Sequence, residues 1–102
     1  MAIGILFETP GWTREGYEEM NRQMFGSPRP SAAIDGIIVH SAGEGPNGWR
    51  IVDIWESREH FDRFIEEKVM PAAQEIGAPE MGEPQIWELD HILVAEGAEV
   101  RS

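Results

Sequence analysis

Apolar residues fall in short blocks along this chain, and the blocks alternate between two periods. Ala2 to Glu8 is an apolar run closed by Thr9-Pro10-Gly11, which predicts a strand. Thr13 then offers an N-cap, and Glu15 puts a carboxylate in the first turn of a helix. Tyr17, Met20 and Met24 follow at helical spacing, with Glu18, Glu19, Asn21 and Arg22 between them. This predicts an amphipathic helix ending near Phe25-Gly26, and Ser27 to Ser31 reads as a loop. Ile34 to Ala42 predicts a second strand and Trp49 to Trp55 a third. The turn-forming cluster Gly43 to Gly48 joins them as a hairpin. Ser57 caps a second helix with Phe61, Phe64, Ile65, Val69, Ala72 and Ile76 as its stripe. Pro71 either kinks that helix or opens a new helical piece. Gly77 suits a helix end, Gln85 to Val94 predicts a fourth strand, and Ala95 to Ser102 is a polar tail.

The predicted order is β-α-β-β-α-β. It gives an α+β, ferredoxin-like fold: a four-stranded antiparallel sheet with two helices on one face. One domain spans residues 1–94, with residues 95–102 as a tail. A sheet with one wet face alternates cleanly between apolar and polar residues. These strands do not. Ile3, Ile5 and Phe7 oppose Leu6, Ile37 and Val39 oppose Ile38 and Ala42, and Ile51 and Trp55 oppose Val52 and Ile54. Trp87, Leu89 and Leu93 likewise oppose Ile86 and Ile92. Two helices cover one face only, so a second copy pressed sheet to sheet is the expected cover, and a homodimer follows.

Charge and composition narrow the partners. Asp plus Glu outnumber Lys plus Arg by 19 to 8, for a formal charge of −11 in 102 residues. That excess argues against nucleic acid and anionic membranes, which need a basic surface. No cysteine is present, which excludes thiolate catalysis and zinc–sulfur sites. No apolar run approaches the length of a membrane span, and the first residues lack the basic region of a signal peptide. A cytoplasmic protein is expected. The three histidines have no metal-ligand spacing, and Gly43 to Gly48 is a turn rather than a phosphate cradle, so neither metal nor cofactor is expected.

Chemistry then rests on few residues. His40 lies among Ile37, Ile38 and Val39, and imidazole titrates nearest neutrality of the side chains. It is either a general acid/base or a hydrogen-bonded interior histidine. Asp53 lies between Val52 and Ile54. If Ala42 opposes Trp49, His40 and Asp53 are diagonal neighbours on one face, and a one-residue slip separates them. Asp53 otherwise pairs with Arg50 or an edge backbone group. His91 follows Trp87 and Leu89 on their face, lining the same cavity or the dimer seam, while His60, beside Arg58 and Glu59, is expected in solvent. Tyr17, Met20, Trp55, Phe64 and Trp87, with the remaining tryptophans, Met24 and Phe61, either fill the core or line an aromatic pocket between helices and sheet.

Trp55-Glu56-Ser57-Arg58-Glu59-His60-Phe61, with Phe64 after it, matches a W-x-S-x-x-x-F-x-x-[FW] pattern at a strand–helix junction. With Gly48-Trp49-Arg50 before it and Pro71 within the helix, the chain resembles the antibiotic-biosynthesis-monooxygenase-like proteins of the dimeric α+β barrel superfamily. That superfamily includes cofactor-free monooxygenases of polyketide quinols, haem-degrading monooxygenases and isomerases. In the haem-degrading pattern the second aromatic is Trp, and a haem-ligating His follows ten residues later. Here those places hold Phe64 and Gln74, so haem is not implied. The resemblance implies a cofactor-independent monooxygenase-like enzyme, in which His40 deprotonates an aromatic or polyketide-type small molecule held in a helix–sheet cleft. The alternatives are an isomerase or cyclase on the same fold, and a non-catalytic dimeric module that binds a ligand or serves a structural role.

Overall fold

In the computed structural model, which describes residues 1–30 and 33–95, four strands form one antiparallel sheet in the order β2-β3-β1-β4. They are β1 (Ile3–Thr9), β2 (Ile37–Gly45), β3 (Gly48–Trp55) and β4 (Gln85–Glu88). Helix α1 (Arg14–Phe25) connects β1 to the hairpin. A second helical stretch follows β3 as α2 (Arg58–Phe64), a π-helical turn (Ile65–Val69) and α3 (Met70–Ile76). The fold is ferredoxin-like α+β. The caps are those the sequence offers: the Thr13 hydroxyl accepts from the Gly16 amide and the Ser57 hydroxyl from His60, while Gly26 and Gly77 close their helices in the left-handed region.

Pro71 is the second residue of α3, the helical piece that opens after the π turn, as one of the two expectations has it. The π turn lies immediately before it and the chain runs on helically, so the residue without an N–H sits in the first turn of α3. The Met70 amide reaches back five residues to the Ile65 carbonyl.

The hairpin differs from its expected form. Gly45 pairs with Gly48 across a two-residue turn, Pro46-Asn47, in place of a six-residue one, and β2 begins at Ile37 rather than Ile34. Gly48 makes the tight turn possible. Its φ is +110°, and a Cβ there would lie 2.6 Å from Pro10 Cα and 2.8 Å from the Thr9 carbonyl oxygen. Gly48→Ala should therefore destabilise the fold by about 1–3 kcal/mol in urea unfolding.

Ile38 is an extra residue in β2. Ile37 opposes Trp55, but Val39 already opposes Ile54, so a bulge resets the strand. Ile37 and Val39 consequently do not share a face, contrary to simple alternation. Ile37, His40 and Ala42 face the helices, and Val39 and Ser41 face away.

The fourth strand stops at Glu88, well short of Val94. Its partner β1 begins at Ile3, opposite Glu88, and the Leu89 amide bonds the Ala2 carbonyl, so the chain then runs past the start of its neighbour. Of the tail, only Ala95 lies within the described residues. His60 is not free in solvent as expected. Its ring packs on Gly36, where a Cβ would lie 2.4 Å away, and its Nδ1 is 2.6 Å from the Ser57 hydroxyl.

Two clusters make the core on the helix side of the sheet. Ile3, Ile5, Phe7 and Trp55 meet Phe61, and Trp12, Met20 and Trp49 meet Val69 and Ala72. The opposite face carries Leu6, Val39, Val52, Ile54 and Trp87, and no helix among the described residues covers it. Val52 is 36% and Trp87 42% exposed there.

Candidate active site

On the helix side, strands β2 and β3 place His40 directly opposite Asp53, closer than the diagonal relation expected from sequence. The His40 Nδ1 is 2.7 Å from Asp53 Oδ1. The other carboxylate oxygen accepts from the Trp55 indole N–H at 3.3 Å. Asp53 is 6% exposed and lies on an interior strand, and these two donors satisfy its oxygens where water does not reach freely. Arg50, the alternative partner, lies on the outer face with Glu8 at 3.0 Å, a contact that holds the Glu8 carboxyl below its usual range.

The second ring nitrogen of His40 points at helix α1. Nε2 is 2.5 Å from the Tyr17 hydroxyl. Burial pushes the Tyr17 phenol up from 10.0 to about 12; a hydrogen bond from Asn21 opposes the rise, and the Asp53 charge adds to it. The phenol therefore keeps its proton at neutral pH and donates it to Nε2. Nδ1 then carries the imidazole proton and donates to Asp53. Four side chains form one chain of hydrogen bonds: Tyr17, His40, Asp53 and Trp55.

The sign of the Tyr17 shift gives a testable consequence. The folded protein holds this proton where the unfolded chain has already lost it. Stability is intact below pH 10 and falls as pH rises through the window from 10.0 to about 12. Tyr17→Phe should remove that part of the fall, seen as the difference between wild-type and variant urea midpoints on either side of pH 10.

The chain of hydrogen bonds lies in the wall of an apolar cavity between helices and sheet, of about 70 Å³. Trp12, Met20, Trp55, Phe61 and Phe64 line it alongside Tyr17, His40 and Asp53. The volume is several times what one water needs but well below the roughly 300 Å³ at which drug-sized pockets begin.

Tyr17, Met20, Trp55 and Phe64 thus meet around one space with His40 and Asp53. Trp87 and His91 do not join them. Trp87 lies on the opposite face with its indole flat over Gly4, where a Cβ would sit 2.5 Å from the ring. Its place alternates with that of Ile86, which opposes Ile5 on the inner face. His91 is exposed beyond the end of β4, because the sheet offers no partner strand there. Trp49 packs behind Tyr17, ring centroids 5.1 Å apart.

Asn21 lines the cavity and escaped the sequence reading, whereas Trp12 was among the aromatics expected in the core or pocket. Asn21 is 2% exposed, although its neighbours placed it with the polar side of the helix, and its amide donates to the Pro28 carbonyl. It lies four residues after Tyr17, so it belongs to the buried stripe. Trp12 is 8% exposed, and its indole N–H has no acceptor among the described residues. No group of three potential metal-ligating side chains occurs among the described residues.

The architecture can be set beside known structures. A protein named for the antibiotic biosynthesis monooxygenases, from Chloroflexus aurantiacus J-10-fl, superposes with a TM-score of 0.62 over 92% of this chain and 98% of its own, at 11% identity. SnoaB, a cofactor-independent oxygenase from Streptomyces nogalater, gives 0.55 over 90% and 94%, at 17% identity. This chain has the antibiotic-biosynthesis-monooxygenase fold. No family model matches the sequence, and no curated protein matches it. At these identities the shared property is the fold, and function must be argued from the site. Within this fold, no helix among the described residues is long and apolar enough to cross a membrane.

Proposed function

We propose that the protein is a small cofactor-independent oxygenase-like enzyme that deprotonates an aromatic hydroxyl compound in the helix–sheet cavity. One observation carries this: an imidazole whose Nδ1 is fixed by a buried carboxylate, with Nε2 directed at the cavity wall. A neutral imidazole in that tautomer accepts a proton, and Asp53 stabilises the imidazolium that results. The aromatic walls hold a planar ring while its hydroxyl ionises. Removing that proton makes the ring electron-rich, and dioxygen is the co-substrate such an anion reduces. The fold-level likeness to a cofactor-independent oxygenase supports the oxygen step.

The test is oxygen consumption on a panel of phenols and hydroquinones. Turnover above the uncatalysed rate by wild type, with none by His40→Ala, supports the proposal. Ionisation of a phenol without oxygen uptake favours an isomerase or cyclase on the same site. No effect of the protein on any member of the panel favours a non-catalytic module.

The working unit in this proposal is a homodimer. Leu6, Val39, Val52, Ile54 and Trp87 form an apolar outer face that a second copy covers, burying more than about 1,000 Å² in total. Sedimentation should give a dimer at micromolar concentration, and Val52→Glu should shift it to monomer. A wild-type protein that sediments as a stable folded monomer contradicts this part.

A further inference from the structure

Tyr17 and His40 both line the cavity, and the Tyr17 hydroxyl covers His40 Nε2. His40 sits on β2, the edge strand of the sheet, and its side chain is 25% exposed, so its ring is open to bulk water on one side. On the other side, Nε2 is already taken by the Tyr17 hydroxyl. Tyr17 itself is held at its hydroxyl by His40 and on its ring by Trp49. Its ring lies nearly parallel to the His40 ring, 9° apart with centroids 6.0 Å apart, and against Trp49 at 5.1 Å. With Nε2 covered in this way, a hydroxyl brought into the cavity reaches that nitrogen only through the Tyr17 phenol or by displacing it.

We propose that Tyr17 is the catalytic residue that touches the substrate, and that it relays the substrate proton to His40. This rests on the proton-transfer reading of the cavity given above. In the step, the substrate O–H bond breaks and its proton goes to Tyr17 Oη. The Tyr17 O–H bond breaks at the same time, and that proton goes to His40 Nε2. Tyr17 ends as it began, a neutral phenol. The substrate becomes an oxyanion and His40 an imidazolium whose Nδ1–H bonds Asp53. The proton stays on His40 Nε2 and returns through Tyr17 to the product oxyanion, which restores the resting pair. Burial, which holds the Tyr17 phenol neutral, suits a relay that passes a proton on without resting as a phenolate.

Tyr17 is the only tyrosine of the chain, so labelling with 3-fluorotyrosine reports on this position alone. The probe is p-nitrophenol, whose phenolate is yellow and whose phenol is not. At a pH where the free probe is mostly phenol, wild type should bind it and raise the phenolate fraction. Tyr17→Phe keeps the ring between His40 and Trp49. It should bind the probe within about threefold of wild type, yet lose at least tenfold in bound phenolate, as His40→Gln does. The fluorine resonance should move on saturation with the probe in wild type and in His40→Gln alike, because contact with Tyr17 does not need the imidazole. This labelling experiment stands even if Tyr17→Phe fails to fold. If Tyr17→Phe forms as much bound phenolate as wild type while His40→Gln forms none, the probe meets His40 directly. The relay is then wrong and the proton-transfer reading survives. A fluorine resonance unmoved by saturating probe likewise overturns the relay. If wild type itself binds the probe without ionising it, the proton-transfer reading fails and the relay with it.

Discussion

Replacing His40 with alanine should lower turnover by about 10²–10⁴-fold, the usual contribution of a positioned proton acceptor, while leaving the protein folded. The stability cost follows from what the ring touches. The Tyr17 hydroxyl and Asp53 Oδ1 each lose a partner at 2.5 and 2.7 Å. The ring is 25% exposed, so water can enter the space it leaves and bond both groups. The loss should therefore sit near the low end of the roughly 1–3 kcal/mol expected for orphaned buried polar groups. The check is a pair of measurements, the melting temperature and the rate per folded molecule. A variant that melts early yet keeps the wild-type rate removes His40 from the mechanism.

Asp53 carries the second large effect, and here stability and chemistry separate by choice of substitution. The carboxylate is buried, and its two oxygens receive His40 Nδ1 and Trp55 Nε1. Asp53→Ala leaves both donors without an acceptor in a site Trp55 shares at 1% exposure, and about 3 kcal/mol should be lost. Asp53→Asn keeps the shape but offers one acceptor oxygen in place of two. If that oxygen stays with Trp55, the amide N–H₂ faces His40 Nδ1, which must then accept. The imidazole proton moves to Nε2, and the nitrogen facing Tyr17 can no longer take one. Asp53→Asn should cost only about 1–2 kcal/mol yet lower the rate as much as His40→Ala does. Urea unfolding and steady-state rates on the same preparation check this. An Asp53→Asn variant with the wild-type rate shows that the carboxylate plays no part in setting the tautomer.

Element order, caps and the two-faced sheet were legible because each rests on local chemistry. Thr13 and Ser57 announce helix starts, Gly26 and Gly77 announce helix ends, and Ile3, Ile5 and Phe7 alternate visibly with Leu6. The common face of His40 and Asp53 was reachable by parity. Their direct opposition was not, because it depends on a two-residue turn at Pro46-Asn47, whose Gly48 fits tightly against Thr9 and Pro10. The end of β4 at Glu88 is a matter of where β1 begins, which apolar content in residues 89–94 cannot reveal. Trp87 was misplaced for the same kind of reason. Its face follows from pairing with Gly4, and a tryptophan over a glycine has no signature in a single strand. Asn21 carried a readable signal, its position four residues after Tyr17. Its polar side chain argued against a buried place until the Pro28 carbonyl supplied a partner. Tyr17 was visible as an aromatic of the cavity. Its bond to His40 links residues 23 apart in sequence, and only the packing of α1 on the sheet brings them together.

The most direct measurement of the central claim is the nitrogen-15 spectrum of the histidine side chains, with and without p-nitrophenol. Three histidines give three resolvable spin systems, and His60 and His91 serve as internal references. At mildly alkaline pH, His40 in the free protein should carry its proton on Nδ1 alone, with Nε2 as acceptor. On saturation with the probe both His40 nitrogens should become protonated, while His60 and His91 stay as they were. A His40 ring whose nitrogens are unchanged when the probe saturates the cavity contradicts the account.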